Sequence, residues 1–555
     1  MSGTSTRAGV SPTVLWLGAA VGLWAVLVAV AIVMRPLLAI DETRYVSVAW
    51  EMWRSGDFLV PRLNGQAYSH KPPLLFWIIT AGWAVFGVSE WWARLVAPLF
   101  GLGGLLLAAQ LARLLWPGRV EIARMVPLVL LATPPWTLFT TLTMFDGLVA
   151  FWTLVGLVGM VLAWRGRPRV GWAMFGLGLG LGILAKGPVV VVFLLPAALA
   201  APWWARGRDD GPQRSGGWTG WYLGAALGSG LGVALALAWA LPAAANGGER
   251  YAAAILWGQT AGRVVGSFAH ERAAWWFLAV LPAVLLPWTL WPPLWRGLAR
   301  MRTGADAGIR LCAVWFLAAL AVMSLVSGKQ IHYLLPIMPA FALVLVRAAA
   351  TVAGGGDRRD GIAPGAIVVA LGVVLGLAPW LAGEDSPSEA LAALPLWIAE
   401  VSSLMGATLI AAGLVLALAR PATVGARLAL MAAQPVLLVV LVHLAVMPAA
   451  GPYYDLAEAA GVVRRIQDGG RRVAYVGGYH GQFQFLGRLD TPIDAVEPRE
   501  VGDWLAGNPG GAVVALYRGR VPRDGEGALY VRPFRGRIMA IWSYAAAAAD
   551  PGMFR

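Results

Sequence analysis

Carboxylates, a histidine and a lysine lie in one polar stretch that follows the first long apolar segment of the chain. Asp41 and Glu42 begin this stretch, and His70 and Lys71 follow about thirty residues later. Charged groups beside a bilayer cost free energy, so their concentration in one loop indicates binding or catalysis. A carboxylate there can take a proton from a hydroxyl, and a lysine can bind a phosphate as a point charge.

The same residues also have structural interpretations, and the sequence leaves both kinds open. Asp41 fits the N-cap of an amphipathic helix that we predict over residues 42–56, lying flat on the membrane. Lys71 fits an interfacial lysine with its charge in water. Asp146 is also a plausible N-cap, and Lys186, which precedes Gly187-Pro188, would satisfy the carbonyls of a helix end.

The elements that must position these residues are membrane helices. The chain has 555 residues, of which 59% are hydrophobic and 13% charged, about half the charged fraction of soluble domains. Its first apolar run, Val14 to Met34, is uncharged and long enough to remain as an uncleaved spanning helix. Charge-poor runs predict an all-α polytopic membrane protein with about thirteen transmembrane helices. They cover residues 14–34, 91–115, 124–142, 146–164, 170–186, 188–204, 219–243, 274–295, 311–326, 333–350, 362–382, 393–419 and 425–447.

Leu74 to Val88 is apolar but short, so we predict an interfacial or re-entrant helix. With that assignment, every loop on the N-terminal side of the membrane is basic, which predicts a cytoplasmic N-terminus. The net charge of +14 therefore reflects membrane orientation and not nucleic-acid binding. The single cysteine, Cys312, excludes an intrachain disulfide and a cysteine metal site.

The same topology predicts that polar motifs distant in sequence meet on the outer face. The outer loop of residues 40–90 would share this face with Asp146, Lys186, the loop containing Arg263 and His270, and the segment from Lys329 to Tyr333. Such convergence indicates a site. His70 and His270, with Asp41 and Glu42, could hold a divalent ion, but their spacing does not specify one. No cofactor is therefore required by the sequence.

After Pro448 the composition becomes that of a soluble domain. We predict two domains, a transmembrane domain over residues 1–447 and a small α/β extramembrane domain over 448–555. Within the second, Tyr454 to Gln467 reads as a helix, and Arg472 to Val476, Ala512 to Tyr517 and Arg537 to Trp542 read as strands.

Taken together, these motifs resemble one family, the C-type polyprenyl-phosphate-sugar-dependent glycosyltransferases. The sequence is similar to bacterial lipid A aminoarabinose transferases and to protein mannosyltransferases. The motifs of the first outer loop are Asp41-Glu42-x-Arg44-Tyr45, Gly56-Asp57, Tyr68-x-x-Lys71-Pro72-Pro73-Leu74, Phe86-Gly87 and Arg94-Leu95. Weaker matches follow at Asp146, Lys186-Gly187-Pro188, His270 with Trp275-Trp276, and Lys329 through Pro336. The resemblance covers most of residues 35–345.

The resemblance implies roles for particular residues. Asp41 would be the catalytic base, with Glu42 and Asp146 as further catalytic candidates, and Lys71 would contact the lipid phosphate. The other expected substrate-binding residues are Arg44, Tyr45, Tyr68, Lys186, Arg263, His270, Lys329, His332 and Tyr333. Relatives often have Glu before the lysine where this chain has His70, so a metal site at His70 and His270 does not carry over directly.

The resulting expectation is an integral-membrane glycosyltransferase at the outer face of a bacterial inner membrane. It would move a sugar from a polyprenyl-phosphate donor to a lipid A, glycan or protein acceptor. The alternative is a polytopic transporter or flippase for a lipid-linked sugar. A transporter would place its polar residues near the membrane midplane and in repeated halves, whereas here they lie at one face and no repeat is visible.

Overall fold

The chain folds into a bundle of apolar helices followed by a small α/β unit. The structure, a computed structural model, describes residues 12–206, 217–258, 271–302, 304, 306–352, 357, 359–382, 388 and 394–554. The first helices and strands are α1 (Pro12–Met34), α2 (Asp41–Ser55), β1 (Arg62–Leu63), β2 (Gln66–Ala67), α3 (Leu74–Phe86), α4 (Glu90–Leu115), α5 (Val120–Leu131), α6 (Pro134–Phe139), α7 (Asp146–Trp164), α8 (Pro168–Lys186), α9 (Val190–Leu199) and α10 (Ala201–Trp204). The bundle continues with α11 (Gly217–Gly247), α12 (Glu249–Ala253), α13 (Trp276–Val284), α14 (Pro292–Met301), α15 (Ala307–Leu325), α16 (Met338–Thr351), α17 (Ile362–Leu381), α18 (Leu404–Leu418), α19 (Val424–Leu441) and α20 (Met447–Ala450).

The protein is a multi-pass membrane protein. Within the described ranges, nine helices are long and apolar enough to cross a membrane, and three more apolar helices have 10–17 residues. These elements follow the predicted segments closely, as in α7, whose bounds coincide with the predicted 146–164. The number thirteen stays a prediction, because several predicted segments occur as two shorter helices.

Prolines account for those interruptions. The predicted segment 124–142 occurs as α5 and α6, which meet at Thr133-Pro134. The segment 274–295 is likewise broken into α13, a short 3-10 turn at Trp288–Leu290 and α14, which begins with Pro292-Pro293. Proline lacks the N–H that continues a helix and clashes with the preceding turn, so it starts helices more readily than it continues them.

The first outer loop is an ordered assembly of α2, a hairpin and α3. The hairpin pairs β1 with β2 across Asn64-Gly65, and both turn residues have positive φ, 55° and 77°. Asn-Gly is the pair that a type I′ turn favours, so the local sequence specifies this turn. The 13 residues of α3 rise about 20 Å, short of a bilayer core of about 30 Å.

The α/β unit extends from Ala457 to Phe554 and is called the C-terminal unit below. It contains α21 (Ala457–Asp468), β3 (Val473–Val476), α22 (Gln484–Gly487), β4 (Asp494–Val496), α23 (Val501–Gly507), β5 (Ala512–Tyr517), β6 (Ala528–Phe534), β7 (Arg537–Trp542) and α24 (Tyr544–Ala549). The strand order is β4-β3-β5-β7-β6, in which β4, β3 and β5 are parallel and β7 and β6 antiparallel. The predicted helix and three strands occur here, so the expected small α/β fold is confirmed.

Two strands of this sheet were not predicted, for physical reasons. The strand β4 has only three residues, too few for a periodic pattern. At the edge of the sheet, β6 exposes Leu529 and Val531 and contains Pro533. Proline is tolerated at a sheet edge because no ladder hydrogen bond is needed on the outer side, but in the sequence it argues against a strand.

Candidate active site

The centre of the candidate site is an ion pair between two membrane helices. Asp146 is the first residue of α7 and Lys186 the last of α8. The Lys186 Nζ donates a hydrogen bond of 2.6 Å to the Asp146 Oδ1, and both side chains are largely buried. Because α7 and α8 form an antiparallel pair, the start of one must meet the end of the other.

Glycines bring these two helices close together. A Cβ on Gly159 of α7 would lie 2.5 Å from the Gly171 carbonyl oxygen of α8, which is closer than real Cβ atoms approach. The same holds for Gly178, whose Cβ would lie 2.6 Å from the Trp152 carbonyl oxygen. Small residues allow membrane helices to pack backbone against backbone, and this packing sets the short reach between Asp146 and Lys186.

A third segment adds aromatic rings and a histidine to this pair. The His332 Nε2 lies 3.9 Å from the Asp146 Oδ2, and the Lys186 Nζ lies 4.4 Å from the centroid of the Tyr333 ring. The Phe139 ring packs edge-on to His332 at 5.4 Å between centroids. The predicted convergence of Asp146, Lys186, His332 and Tyr333 is therefore present in the structure. The carboxylate and the ring both attract the ammonium group and hold it in place.

Asp41 approaches the site from the start of α2. The N-cap position of α2 is Ile40, so Asp41 is the first helical residue, and its carboxylate accepts a 3.3 Å hydrogen bond from the Tyr45 hydroxyl. Burial raises the pKa of Tyr45, and the charge of Asp41 raises it further, so the hydroxyl stays protonated and donates. Asp41 itself is exposed, as a base that meets an incoming substrate must be.

Lys71 reaches the same place across an aromatic cluster. Its Nζ lies 5.8 Å from the centroid of the Phe145 ring, and Phe145 precedes Asp146 in the chain. The Phe145 ring also contacts Tyr45 and Phe76 edge-on, at 4.8 and 5.6 Å between centroids. The charges of Lys71 and Asp41 both act on His332. Residues from α2, the outer loop, α7, α8 and the 331–337 segment therefore gather around the adjacent residues Phe145 and Asp146.

Glu42 differs from its neighbour Asp41, because its carboxylate is fully engaged. The Arg35 guanidinium donates to both oxygens, and the backbone N–H groups of Leu38 and Thr143 donate at 3.0 and 2.7 Å. Burial acts to raise the pKa of Glu42, but Arg35 and the Thr143 N–H outweigh it and lower the pKa. Glu42 thus ties α2 to the loop before Asp146. The catalytic role of Glu42 stays a prediction. Its hydrogen bonds favour a role in positioning the loop before Asp146.

The Lys329 ammonium group is likewise bonded to protein, in this case to two backbone carbonyl oxygens. Its Nζ donates hydrogen bonds of 2.8 Å to the Arg272 carbonyl and 2.5 Å to the Val326 carbonyl, and the side chain is buried. It therefore holds the segment at Arg272 against the end of α15. Arg263 and His270 lie outside the described residues. Over the described part of the chain, no group of three or more His, Cys, Asp or Glu side chains could hold a metal ion.

Tyr68, His70 and Arg44 lie on the side of the site that faces the C-terminal unit. The rings of Tyr68 and His70 pack at 5.2 Å between centroids, and Tyr68 also contacts Phe76. All three line a cavity of about 180 Å³ together with His480 of the C-terminal unit. Sequence reasoning did not connect His480 with this loop, because no local pattern predicts a contact over more than 400 residues.

The C-terminal unit is anchored on the first outer loop. The Asn64 side chain bonds both to the backbone of Ile493 and to Gln484, at 2.7–2.8 Å. Phe485 stacks on Trp83 of α3 with ring centroids 5.4 Å apart, and its N–H donates to Ser47 of α2. The face of α2 that carries Ser47 therefore packs against protein. The Asn64-Gly65 pair predicts a hairpin from sequence alone, and it is the local pattern from which this docking surface could have been found.

The sequence is similar to known glycosyltransferases over about half of its length. Residues 70–217 match the dolichyl-phosphate-mannose-protein mannosyltransferase family. The chain is 30% identical over 320 residues to undecaprenyl phosphate-α-4-amino-4-deoxy-L-arabinose arabinosyl transferase 2 of Pseudomonas fluorescens, an alignment that covers 56% of this chain and 55% of the relative. It is 31% identical over 319 residues to the corresponding transferase of Pseudomonas aeruginosa, covering 55% of this chain and 54% of the relative. The chain thus spans about half the length of the relatives it matches.

The fold comparison covers almost the whole chain. The crystal structure of ArnT from Cupriavidus metallidurans bound to undecaprenyl phosphate matches with a TM-score of 0.74 and 20% identity, over 96% of this chain and 98% of that one. The apo state of the same protein matches with a TM-score of 0.72. The C-terminal unit therefore falls within the shared architecture. The chain has the fold of ArnT, and its resemblance to the C-type polyprenyl-phosphate-sugar-dependent glycosyltransferases is confirmed by the family match and the named relatives.

Proposed function

We propose that this protein is an integral-membrane glycosyltransferase that moves a sugar from a polyprenyl-phosphate donor to an acceptor. The observation that carries the proposal is that Asp41, Lys71 and the Asp146–Lys186 pair all lie near Phe145 and its neighbour Asp146, with Asp41 connected through Tyr45. Separate segments thus bring a carboxylate and cations to one place, as attack on a phosphate-linked sugar requires. The named relatives, which are undecaprenyl-phosphate aminoarabinose transferases, support a donor of the same class.

The proposed reaction is a single displacement. The sugar donor enters from the bilayer, and its phosphate lies near Lys71 and Lys186. Asp41 takes the proton of the acceptor hydroxyl as its oxygen attacks the anomeric carbon, and the bond from that carbon to the phosphate oxygen breaks. Polyprenyl phosphate leaves with the bonding electrons, and its charge is stabilised by the lysines. Inversion at the anomeric carbon follows from a one-step mechanism.

Asp146 and Glu42 have supporting roles in this proposal. Asp146 fixes the Lys186 ammonium by a 2.6 Å hydrogen bond, so that the cation stays at the end of α8. Glu42 holds the loop before Asp146 through the Thr143 N–H. His332 and Tyr333 enclose the pair and reduce its access to water. In a dry site, charges act more strongly on a developing phosphate charge than they would in water.

We further propose that the site faces the outside of a bacterial inner membrane. The basic loops on the opposite side support a cytoplasmic N-terminus, which puts the residue 40–90 loop and the domain after residue 447 outside. The acceptor is a lipid A, a glycan or a protein. The site residues lie at the ends of α7 and α8 and not at their centres, which favours a transferase over a flippase.

The test is sugar transfer by purified protein in liposomes that contain an undecaprenyl-phosphate-linked aminopentose and lipid A. We expect the modified acceptor and free undecaprenyl phosphate to appear in equal amounts by mass spectrometry. Lipid A and envelope glycans from cells with and without the gene identify the acceptor in vivo. Movement of the donor across the bilayer without any transfer to lipid, glycan or protein would replace the transferase proposal with the flippase alternative.

A further inference from the structure

A second polar cavity lies where the C-terminal unit meets the first outer loop. Its volume is about 180 Å³. The wall from the loop contains Arg44 of α2, Gln66 of the hairpin, and the segment Tyr68-Ser69-His70. The opposite wall contains His480 of the C-terminal unit. No carboxylate belongs to this lining, so the charged and titratable groups that line it are all basic apart from the Tyr68 phenol.

Arg44 is the unusual member of this lining. Its guanidinium makes no hydrogen bond and no ion pair with any residue that the structure describes, and its Nε is buried from solvent. Nearby arginines behave differently. Arg35 is paired with Glu42, and Arg54 with Asp490. A buried guanidinium N–H without an acceptor costs free energy, and this applies to the Nε of Arg44. Arg44 lines the cavity without a partner in the described part of the chain, so its guanidinium can bind an anion there.

Hydrogen bonds hold the loop that carries His480 at the opposite wall. The backbone N–H of His480 donates a 3.0 Å hydrogen bond to the Gln482 side chain, and the hydroxyl of the neighbouring Tyr479 bonds to the Gln484 side chain. Gln484 in turn donates to Asn64 of the hairpin at 2.7 Å. These contacts connect the His480 loop to the first outer loop, so the two walls of the cavity keep their spacing. The charges of Arg44 and Asp41 both act on His480, which sets the cavity beside the proposed base.

We propose that this cavity binds an anionic oxygen group of the acceptor, a phosphate monoester or a carboxylate, between Arg44 and His480. The inference deepens the proposed function and rests on it, because it assumes an acceptor that arrives at Asp41. Arg44 follows Asp41 by three residues in α2, about one helical turn, so an anion on Arg44 directs a neighbouring hydroxyl of the same molecule towards Asp41. Arginine provides planar, multidentate recognition of phosphate and carboxylate.

The arrangement gives the C-terminal unit a role in substrate binding. The donor phosphate is assigned to Lys71 and Lys186. The acceptor anion is assigned to Arg44 and His480 in the second cavity. Two separate cationic subsites keep two anionic substrates apart and orient them towards each other. Neither wall of the second subsite is complete without the other, so the acceptor site forms only when the C-terminal unit is docked.

The test measures binding of inorganic phosphate to the full-length protein in phosphatidylcholine nanodiscs. Undecaprenyl phosphate is added to saturation so that the donor subsite is filled. We expect one further phosphate per protein by equilibrium dialysis. Arg44→Gln should weaken this binding at least tenfold and His480→Asn several-fold. Arg62→Gln is the matched control, because Arg62 belongs to the same loop but faces Asp57 at 3.7 Å, and it should bind phosphate as the unsubstituted protein does.

A second arm identifies the source of the anion. Nanodiscs that also contain phosphatidic acid present the same phosphate monoester from the bilayer. Displacement of inorganic phosphate by this lipid would support an acceptor that enters from the membrane, and no displacement would support one that enters from water. The inference is overturned if the protein with a filled donor site binds no phosphate, or if both Arg44→Gln and His480→Asn bind it normally. Active sugar transfer without phosphate binding would overturn this inference alone.

Discussion

The Lys186 ammonium and the Asp146 carboxylate form a 2.6 Å ion pair at the facing ends of two antiparallel helices. Both side chains are largely buried, so each neutralises a charge that would otherwise be costly at that depth. The pair is also the only ion pair that links α7 to α8 in the described part of the chain. It therefore combines a structural role with the presentation of a cation to a phosphate.

Removing one member of this pair should destabilise the protein strongly. We expect Lys186→Met to lower the free energy of unfolding by about 3–5 kcal/mol, because it leaves the Asp146 carboxylate buried without its partner. Adding Asp146→Asn should recover much of that loss while sugar transfer stays abolished. Thermal unfolding of the single and double variants in detergent, with transfer assays, completes the double-mutant cycle. Independent, additive losses of stability would show that the two residues do not interact.

Asp41→Asn separates a base from a structural residue. The substitution keeps the shape and the ability to accept the Tyr45 hydrogen bond, but it removes the proton acceptor. Turnover should fall about a hundredfold or more, while donor binding stays near normal. Asp57→Asn is the control, because Asp57 accepts from the Leu59 and Val60 N–H groups and an amide oxygen can replace it there. Full sugar transfer by Asp41→Asn would shift the base assignment to Glu42 or Asp146.

Glu42 predicts a dependence of stability on pH. Its pKa in the folded protein is lowered, since Arg35 and the Thr143 N–H outweigh the effect of burial. A lowered carboxyl pKa stabilises the fold above the unfolded value, about 4.3, and this contribution is lost as the pH falls towards the folded value. Melting temperatures between pH 7 and pH 3 should therefore fall less steeply for Glu42→Gln than for the unsubstituted protein, from a lower starting value. Parallel curves would contradict the assignment.

The membrane orientation is tested with single cysteines in a Cys312→Ala background. Gln66 is exposed on the hairpin and Arg167 in the turn between α7 and α8. With the N-terminus in the cytoplasm, Gln66→Cys in intact cells should react with an impermeant thiol reagent, whereas Arg167→Cys should react only after lysis. The reverse pattern would invert the topology and remove the outer-face assignment of the site.

The sequence predicted most helices, since a long uncharged run has few structural alternatives near a bilayer. It also predicted which polar residues meet, because the alternation of loops across the membrane puts Asp146, Lys186 and His332 on one side. It could not decide between the two interpretations of Asp41 or Lys71. The interpretation of Asp41 depends on where α2 begins, and the structure puts Ile40 and not Asp41 at the N-cap. The interpretation of Lys71 depends on its distance from Phe145, which no local sequence pattern specifies.

Local sequence patterns did not predict the burial of Glu42 or the docking of the C-terminal unit. Adjacent carboxylates at Asp41 and Glu42 look alike in sequence, yet one is exposed and the other is enclosed by Arg35 and a backbone N–H about a hundred residues away. The docking of the C-terminal unit depends on side chains such as Ser47 and Asn64, whose types are ordinary for a helix face or a turn. Contacts over long chain separations are set by the three-dimensional packing.

Asn64 provides the sharpest test of that docking. Its side chain makes three hydrogen bonds to Gln484 and Ile493, and its φ of 55° is a conformation that asparagine and glycine tolerate better than alanine. We expect Asn64→Ala and Asn64→Gly both to speed amide exchange in residues 483–493, because both lose the three bonds. Asn64→Gly isolates the effect of these bonds, since glycine keeps the backbone unstrained. If only Asn64→Ala speeds exchange, the turn conformation and not the side-chain bonds holds the unit; if neither does, Phe485 stacked on Trp83 is sufficient for docking.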